Sequence, residues 1–472
     1  MNTKTIIILT AIILSMLGGG AYWYYTQRPV DITSVSEFPG ESGLREGETG
    51  TTPIETTLDE EGVFIPGSGA TLPRLYEFHK ANVAGVGFFE TKDKKGTVVN
   101  TAVRYIERGV GHIYETQLST YTESRIVNET RSRIGEALWG NNGKSVVVRF
   151  VDNTEDGAIK THLVNIGSSS VSFARGTSTE TTSTNFLKTE EVHLPYYIPF
   201  MATAEDGADK LFYLEDGSGS TATYKNTSIS KIFSSAFTEW LPQFPNQKLV
   251  TLTTKPSATV PGHLFFLNTE TKAVTKTLDN INGLTTLTSR DGKLVLYSET
   301  KEGAPWLSVY NVLKSESTPL YLQALPEKCV WSIKKPLVAY CAVPQTLPGA
   351  NYPDQWYQGF VSFSDELWEI DTKTFTTQKI MTPKTLGAPV LDMTNLAISS
   401  DDSFLIFINK ISSTPWVYSI VEPSPVRIVT TPSIPETAQE TIAPSATAPQ
   451  SVITSDMQKL KYLKQKPINY LL

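Results

Sequence analysis

Histidine is the residue in this chain best suited to zinc binding or to acid–base chemistry near neutral pH. The 472-residue chain contains five histidines, His79, His112, His162, His193 and His263. No two of them have HxxxH or HxH spacing, and the chain lacks a GxSxG nucleophile elbow and a phosphate-binding P-loop. The sequence therefore predicts no metal site, no cofactor and no enzymatic activity.

The two cysteines, Cys329 and Cys341, flank a segment that is typical of a β-hairpin. In this segment, VWSIKKPLVAY, a turn centred on Lys335 pairs Ser332 with Val338 and places the cysteines opposite each other. Directly opposed residues on antiparallel strands have Cβ atoms about 4.5–5.5 Å apart, close to disulfide geometry. We therefore expect a disulfide, as suits an exported domain; the alternative is two buried free thiols.

The densest group of polar and aromatic side chains lies on two predicted adjacent strands. Its candidate members of a binding surface are Arg104, Tyr105, Arg108, His112 and Tyr114. Such a group suits a partner protein or an acidic ligand. The alternative is a solvated strand face held together by cross-strand pairs.

A second candidate surface lies in an aromatic-rich insertion at residues 345–364. Its candidate contact residues are Tyr352, Trp356 and Tyr357. Aromatic side chains exposed in a loop on a rigid scaffold favour protein contacts. The alternative is that they cover the open edge of a sheet.

Both candidate surfaces must be positioned by strands, because the body of the chain repeats a strand-forming pattern. Each copy has a polar turn rich in Asp, Asn, Gly and Lys, followed by a short apolar strand. The clearest turns are LWGNNGK at 138–144, AEDGADK at 204–210, SRDGK at 289–293 and SSDDS at 399–403. Units of about four short strands, repeated every 40 to 70 residues or so, are typical of propeller blades. The sequence predicts an all-β propeller with seven blades; six blades are the alternative.

The repeated element resembles known propeller repeats. Residues 139–144 and 289–293 resemble the WD40-like repeats of the periplasmic TolB protein and of other bacterial envelope proteins. Residues 103–108 with 111–115, and residues 329–344, are similar to membrane-anchored hypothetical proteins of Patescibacteria. These resemblances imply a propeller fold and a location in the cell envelope, and they imply no activity.

An uncharged apolar run near the N-terminus predicts a membrane anchor. The run from Thr5 to about Tyr25 is long enough to cross a bilayer as one helix. Lys4 before it and aromatic residues such as Trp23 at its end favour a cytoplasmic N-terminus. The alternative is a signal peptide cleaved near the small residues 18–21. We expect a single-pass cell-membrane protein with an extracytoplasmic body.

The predicted organisation has five parts. They are a transmembrane anchor at 1–27, a flexible linker at 28–73, a β-propeller at 74–428, a Pro/Thr/Ala/Ser-rich linker at 429–455 and a short amphipathic segment at 456–472. In the last part, Leu460 and Leu463 lie at helical spacing, which favours a docking peptide. The alternative is a frayed tail.

The charge of the chain limits the classes of partner. A net charge of −7 argues against nucleic acid, which needs a positive surface to release phosphate counterions. We expect two partners, the membrane through the N-terminal helix and a protein of the envelope or surface. The sequence thus predicts a membrane-anchored interaction or scaffold module of the cell envelope. The alternatives are an envelope hydrolase or lyase with its active site in the propeller channel, and a structural surface subunit.

Overall fold

The chain folds into seven four-stranded antiparallel sheets, which we call blades 1 to 7. The computed structural model describes residues 57–58, 64–65, 72–152, 158–175, 182–194 and 198–423. In these ranges, three short strands come before blade 1 in the chain, β1 (Thr57–Leu58), β2 (Phe64–Ile65) and β3 (Leu75–Glu77). The first two pair with each other, and β3 belongs to the last blade.

Blades 1 to 4 are meanders of strands consecutive in sequence. Blade 1 consists of β4 (Val83–Lys92), β5 (Val98–Glu107), β6 (Ile113–Gln117) and β7 (Thr122–Val127). Blade 2 consists of β8 (Ile134–Gly140), β9 (Ser145–Val151), β10 (Ile159–Arg175) and β11 (Thr182–His193). Blade 3 consists of β12 (Phe200–Thr203), β13 (Leu211–Glu215), β14 (Ser218–Ala222) and β15 (Ser230–Ser234). Blade 4 consists of β16 (Trp240–Asn246), β17 (Leu249–Thr254), β18 (Pro261–Asn268) and β19 (Val274–Asn282).

Blades 5 to 7 continue the pattern and carry the short helices. Blade 5 consists of β20 (Thr285–Thr288), β21 (Leu294–Lys301), β22 (Ala304–Asn311) and β23 (Glu316–Gln323). Blade 6 consists of β24 (Cys329–Trp331), β25 (Val338–Pro344), β26 (Asp365–Asp371) and β27 (Thr376–Met381). Blade 7 consists of β28 (Met393–Ile398), β29 (Phe404–Asn409), β30 (Pro415–Ser419) and β3. The helices among the described residues are two 3₁₀ turns, Pro326–Lys328 and Pro383–Leu386, and one α-helical turn, α1 (Asp354–Tyr357).

Contacts between the first strands of successive blades close the sheets into a ring. β4 contacts β8, β8 contacts β12, β12 contacts β16, and β16 contacts β20. The 3₁₀ turn Pro326–Lys328 contacts β20 and leads into β24, while β28 contacts both β24 and β4. The prediction of a seven-bladed propeller is therefore confirmed, and the six-bladed alternative is wrong.

The ring is closed by β3, which precedes blade 1 in the chain but is the outermost strand of blade 7. Leu75 pairs with Tyr418 across β3 and β30. Arg74 extends this closure, because its Nε and Nη2 donate to the carbonyl oxygens of Ser419 and Ile420, each at 3.0 Å. Strand pairing between the two ends of the body thus joins the first and last blades.

The second strand of a blade is buried on both faces, which explains the unbroken apolar runs of the repeat. Val146 and Val148 pack into the layer between blades 1 and 2, whereas Val147 packs toward blade 3. All three side chains are buried. The hydrophobic core is therefore a series of layers between adjacent blades.

The polar turns of the repeat connect the first two strands of a blade and also bind the neighbouring blade. Asn142 Nδ2 of blade 2 donates to the Gly207 oxygen of blade 3 at 3.1 Å. Asp402 of blade 7 accepts the Ile333 N–H of blade 6 at 2.9 Å. Gly207 has a φ of 80°, and a Cβ there would lie 2.2 Å from Asn142 Oδ1, so glycine is required. The recurring motif is thus a contact between blades.

Several predicted parts lie beyond the described residues. These are the anchor at 1–27, the linker at 429–455 and the amphipathic segment at 456–472. In the part of the chain that the structure describes, no helix has the length and apolar character needed to span a bilayer. The blade strands run from Leu75 to Ser419, and the predicted domain boundaries stay a prediction.

Candidate functional site

The predicted disulfide is present in blade 6. Cys329 and Cys341 are directly paired across β24 and β25, and their sulfur atoms are bonded. Ser332 and Val338 also meet as expected, because the Ser332 N–H donates to the Val338 oxygen at 2.9 Å. Both cysteines are buried, so the bond stabilises the blade and offers no surface thiol.

The polar group predicted on blade 1 is not a single surface, because successive residues of a strand point to opposite faces. Arg104 is buried toward blade 2, where its Nε lies 2.8 Å from Glu115 Oε2 and its Nη1 donates to the Gly143 oxygen at 3.0 Å. Tyr105 is buried on the other face, and its hydroxyl bonds that of Thr116 at 3.0 Å. This corrects the predicted surface: Arg104 and Tyr105 are interior residues.

The remaining predicted members of this group reach the rim of blade 1. Arg108 is exposed, and His112 and Tyr114 are half-buried. His112 Nε2 lies 3.2 Å from Thr130 Oγ1, and the ring of Tyr114 stacks on that of Tyr105 with centroids 5.7 Å apart. Their role in binding stays a prediction.

His79, which no sequence pattern assigns to a site, lies between two carboxylates on blade 1. Its Nδ1 is 2.9 Å from Glu123 Oε1 and its Nε2 is 3.2 Å from Glu107 Oε1. Burial lowers the pKa of His79, but the two carboxylates outweigh burial, so its pKa is raised. His79 lies just after β3 of blade 7, and both glutamates lie in blade 1. These ion pairs therefore join blades 7 and 1, where the ring closes. Its partners are 44 and 28 residues away, so no spacing rule finds them.

The insertion of blade 6 at residues 345–364, which we call the cap, reaches across neighbouring blades. It joins β25 to β26 and contains α1. Asp354 Oδ2 accepts the Ala258 N–H of blade 4 at 2.7 Å. The Tyr352 carbonyl oxygen accepts the Thr300 hydroxyl of blade 5 at 2.7 Å. The cap is therefore attached to blades that are distant from it in sequence.

The aromatic residues of the cap divide into a buried and an exposed set. Tyr352, Trp356 and Phe363 are buried and pack in one cluster. The predicted contact residues Tyr352 and Trp356 are thus corrected to interior residues that hold the cap in place. Tyr357 and Phe360, with exposed fractions of 42% and 75%, remain at the surface.

A buried ion cluster lies beneath the cap at the seam of blades 6 and 7. Lys328 Nζ lies 2.9 Å from Asp365 Oδ2, contacts Asp392 Oδ1 and donates to the Met393 oxygen at 2.9 Å. Burial raises the pKa of Asp365 to about 6 even though Lys328 opposes the shift. The three donors of the ammonium are satisfied, so the cluster is a structural lock.

The cap is bonded directly to this lock. Trp356 Nε1 donates to Asp392 Oδ2 at 3.1 Å, and the Phe363 N–H donates to the same oxygen at 3.0 Å. Lys410 of blade 7 also donates to the Trp356 carbonyl oxygen. The cap, itself an insertion of blade 6, is therefore also held by hydrogen bonds to blades 4, 5 and 7.

One carboxyl under the exposed part of the cap titrates near neutrality. Burial raises the pKa of Glu327 to about 7. Its Oε1 accepts the Tyr357 hydroxyl, whereas its buried Oε2 has no hydrogen-bond partner among the residues that the structure describes. A neutral Glu327 carboxyl can itself donate a hydrogen bond there.

A possible metal-ligand group occurs on blade 2, where the spacing rules for histidines predict none. His162 and His193 are direct partners across β10 and β11, and their rings stack with centroids 3.9 Å apart. His162 Nδ1 lies 2.6 Å from Glu191 Oε1, which Arg131 also contacts. One ligand atom from each of His162, Glu191 and His193 lies within 4.8 Å of the others. A Glu-x-His pair on one strand face, opposite a histidine in a hairpin, is the sequence signal that finds it.

The hairpin that carries this group extends beyond the rest of blade 2. β9 pairs with β10 over Ile159–Asn165, whereas β10 and β11 stay paired over residues 170–175 and 182–187. The outer part of the hairpin is therefore a β-arm that projects past the blade. A backbone edge of this kind can accept a further strand.

Comparison with known proteins finds similar solved structures. No family model matches the chain, and no curated protein matches it. It is similar to an oligogalacturonate lyase in complex with manganese, at 10% identity, covering 75% of this chain and 95% of that one, with a TM-score of 0.45. It is also similar to the β-propeller domain of Cps50 (Swd1) from Myceliophteria thermophila, at 8% identity, covering 74% and 100%, with a TM-score of 0.45.

TolB from Acinetobacter baumannii is a further structural neighbour, at 11% identity, covering 67% of this chain and 65% of that one, with a TM-score of 0.36. A β-propeller domain and TolB are thus among the solved structures to which the chain is similar. These likenesses say nothing about activity.

Proposed function

We propose that this protein is a membrane-anchored, extracytoplasmic propeller that serves as an interaction or scaffold module of the cell envelope and is not an enzyme. The cap carries this proposal. It places Phe360 and Tyr357 at the surface on a loop that is bonded to three other blades. Aromatic side chains presented on a pre-ordered base bind partners at a low entropic cost.

The local structure supports a rigid presentation of these two residues. Tyr357 ends α1, and the Phe360 N–H donates to the Gln355 oxygen at 3.0 Å. Directly beneath them, Trp356 is buried against the ion cluster. A partner that covers Phe360 would therefore meet a surface that needs little reordering.

The positions at which the body begins and ends support a cap that faces away from the attachment point. Arg74 and Glu422 form an ion pair at 2.9 Å, where the body begins and ends. Antiparallel pairing puts these residues at the end of blade 7 opposite the β29–β30 loop, whose Lys410 contacts the cap. A segment that precedes Arg74 in the chain therefore enters the body at the end of blade 7 opposite the cap.

The carboxylates beneath the cap favour a non-catalytic role. Asp365 and Asp392 lie close together, as a hydrolase or lyase would require. Both are buried, however, and both are bonded to Lys328. A pair neutralised in this way is suited to holding the fold together and not to proton transfer with a substrate.

Site-specific photocrosslinking in native membranes tests the proposal. A photoreactive phenylalanine analogue would replace Phe360 in the full chain, and Leu313 would serve as the control site. Leu313 is 81% exposed and lies in the turn after β22, at the end of the blades opposite the cap. We expect one partner crosslinked at position 360 and absent at position 313.

A substitution at position 360 tests whether the crosslinked partner depends on the phenylalanine side chain. Phe360→Ser should abolish co-purification of that partner, whereas Leu313→Ser should leave it unchanged. Equal crosslinking at both sites, or no loss with Phe360→Ser, would contradict the proposal.

A further inference from the structure

We propose that His162, Glu191 and His193 form a binding site for a divalent transition-metal ion of the zinc class, on the rim between blades 1 and 2. The inference does not depend on the proposed function. It rests on three side chains from two paired strands whose ligand atoms already lie together.

The strand register brings the ligands together. His162 and His193 are directly opposed in the β10–β11 hairpin, and Glu191 lies two positions before His193 on the same face. Opposed residues hold their Cβ atoms about 4.5–5.5 Å apart, which lets two imidazoles reach one ion. The backbone thus sets the spacing of the ligands before any metal binds.

The three side chains are already close together, and one of the two stacked imidazoles must turn for both to face the same ion. Their ligand atoms lie within 4.8 Å of one another. Zinc–nitrogen bonds of about 2.0–2.1 Å in a tetrahedral site place ligand atoms roughly 3.3 Å apart. His193 is exposed and can rotate toward the ion, while His162 is buried with its ring packed edge-on against Phe150 at 4.8 Å. One ligand is therefore fixed and the other is free to close on the metal.

Arg131 holds the carboxylate of the site in place. Its Nη2 and His162 Nδ1 both contact Glu191 Oε1. Glu191 Oε2 can then coordinate the ion while Arg131 keeps its ion pair, as outer-shell partners commonly do.

The donor set selects the class of ion. Two imidazoles and one carboxylate suit zinc, cobalt, nickel or copper, whereas calcium and magnesium prefer sites built from oxygen ligands. Three protein ligands leave one tetrahedral position open for water or for a ligand from a bound molecule. The site is therefore of the open type.

Metal titration of the full-length chain, purified without a polyhistidine tag and stripped with chelator, tests the inference. We expect one Zn²⁺ bound per chain by calorimetry, and visible absorption typical of tetrahedral coordination when Co²⁺ is the probe. His193→Asn and Glu191→Gln should each weaken Zn²⁺ binding by about tenfold or more. Both residues are at or near the surface, so these variants keep the fold.

His263→Asn is the matched control. His263 also contacts a carboxylate, with its Nδ1 2.6 Å from Asp279 Oδ1 on the surface of blade 4, but it belongs to no three-ligand group among the described residues. This variant should bind Zn²⁺ like the wild type. Zn²⁺ binding that His193→Asn leaves unchanged, an equal loss in His263→Asn, or the absence of stoichiometric binding would overturn the inference.

Discussion

Two neighbouring seams of the ring use the same charge pattern, a cation between two carboxylates, at different degrees of burial. At the seam of blades 6 and 7, the side chains of Lys328, Asp365 and Asp392 have no exposed area. At the seam of blades 7 and 1, the side chain of His79 is 11% exposed, and its carboxylate partners are 14% and 23% exposed. The first seam lies under the cap and the second is at the ring closure.

The difference shows that burial and residue type give the same charge pattern two different effects on stability. Charges removed from water stabilise a fold only while every partner is present, so the Lys328 cluster is an all-or-none lock. Histidine is the side chain whose ordinary pKa puts its change of charge between about pH 5 and 8. The His79 seam should therefore lose its ion pairs as pH rises. Burial raises the pKa of Asp365 to about 6, so the Lys328 seam changes in the opposite direction and gains the charge of that carboxylate as pH rises through this value.

The largest effect is expected from breaking the lock. Lys328→Met leaves two buried carboxylates without their cation and should destabilise the protein by about 3–5 kcal/mol in urea unfolding. The control is Lys335→Met, because Lys335 is 59% exposed and its Nζ lies 3.9 Å from Glu369. This second variant should change stability by no more than about 1 kcal/mol. Equal losses in the two variants would show that burial does not distinguish them.

A combined variant sharpens the same comparison. Adding Asp365→Asn and Asp392→Asn to Lys328→Met removes the uncompensated charge and should recover part of the lost stability, as measured by the urea midpoint. The recovery is expected because Asn keeps an oxygen that can accept the N–H groups of Trp356 and Phe363. Further loss in the combined variant would contradict the role of charge.

The next largest effect is expected from the pH dependence of the stability that the His79 ion pairs contribute between blades 7 and 1. The pKa of His79 is raised above its ordinary value of 6.5. Its stabilising contribution is thus complete below the unfolded pKa of about 6.5 and is lost as pH rises through the higher folded value. His79→Gln should cost about 1.5–3 kcal/mol at pH 6 and less at pH 8. Urea midpoints at both pH values check this, and a constant difference between variant and wild type would count against it.

The smallest effect is expected where the cap meets the lock. Trp356→Phe keeps an aromatic ring but removes the N–H that bonds Asp392 Oδ2. The Phe363 N–H still donates to that oxygen, so the loss should be about 1 kcal/mol. Thermal unfolding measures it, and a loss as large as that of Lys328→Met would mean that the cap, and not the ion cluster, holds the seam.

Short-range patterns in the sequence predicted the architecture. The polar turns and the apolar runs that follow them mark the first two strands of most blades, and seven blades follow from their number. The disulfide was predictable for the same reason, since the turn centred on Lys335 sets the register of Cys329 and Cys341. Turn chemistry and strand alternation involve residues close in the chain, so the sequence displays them directly.

Only the tertiary structure decided which side chains meet across the ring. Lys328 and Asp392 are 64 residues apart, Asp354 and Ala258 are 96 apart, and His162 meets Glu191 across 29 residues. It also buried Trp356, which the sequence alone had suggested as a contact residue. Such contacts depend on blade order, on hairpin register and on the path of a long insertion. Residue spacing encodes none of these, because they arise when the ring closes and its blades pack.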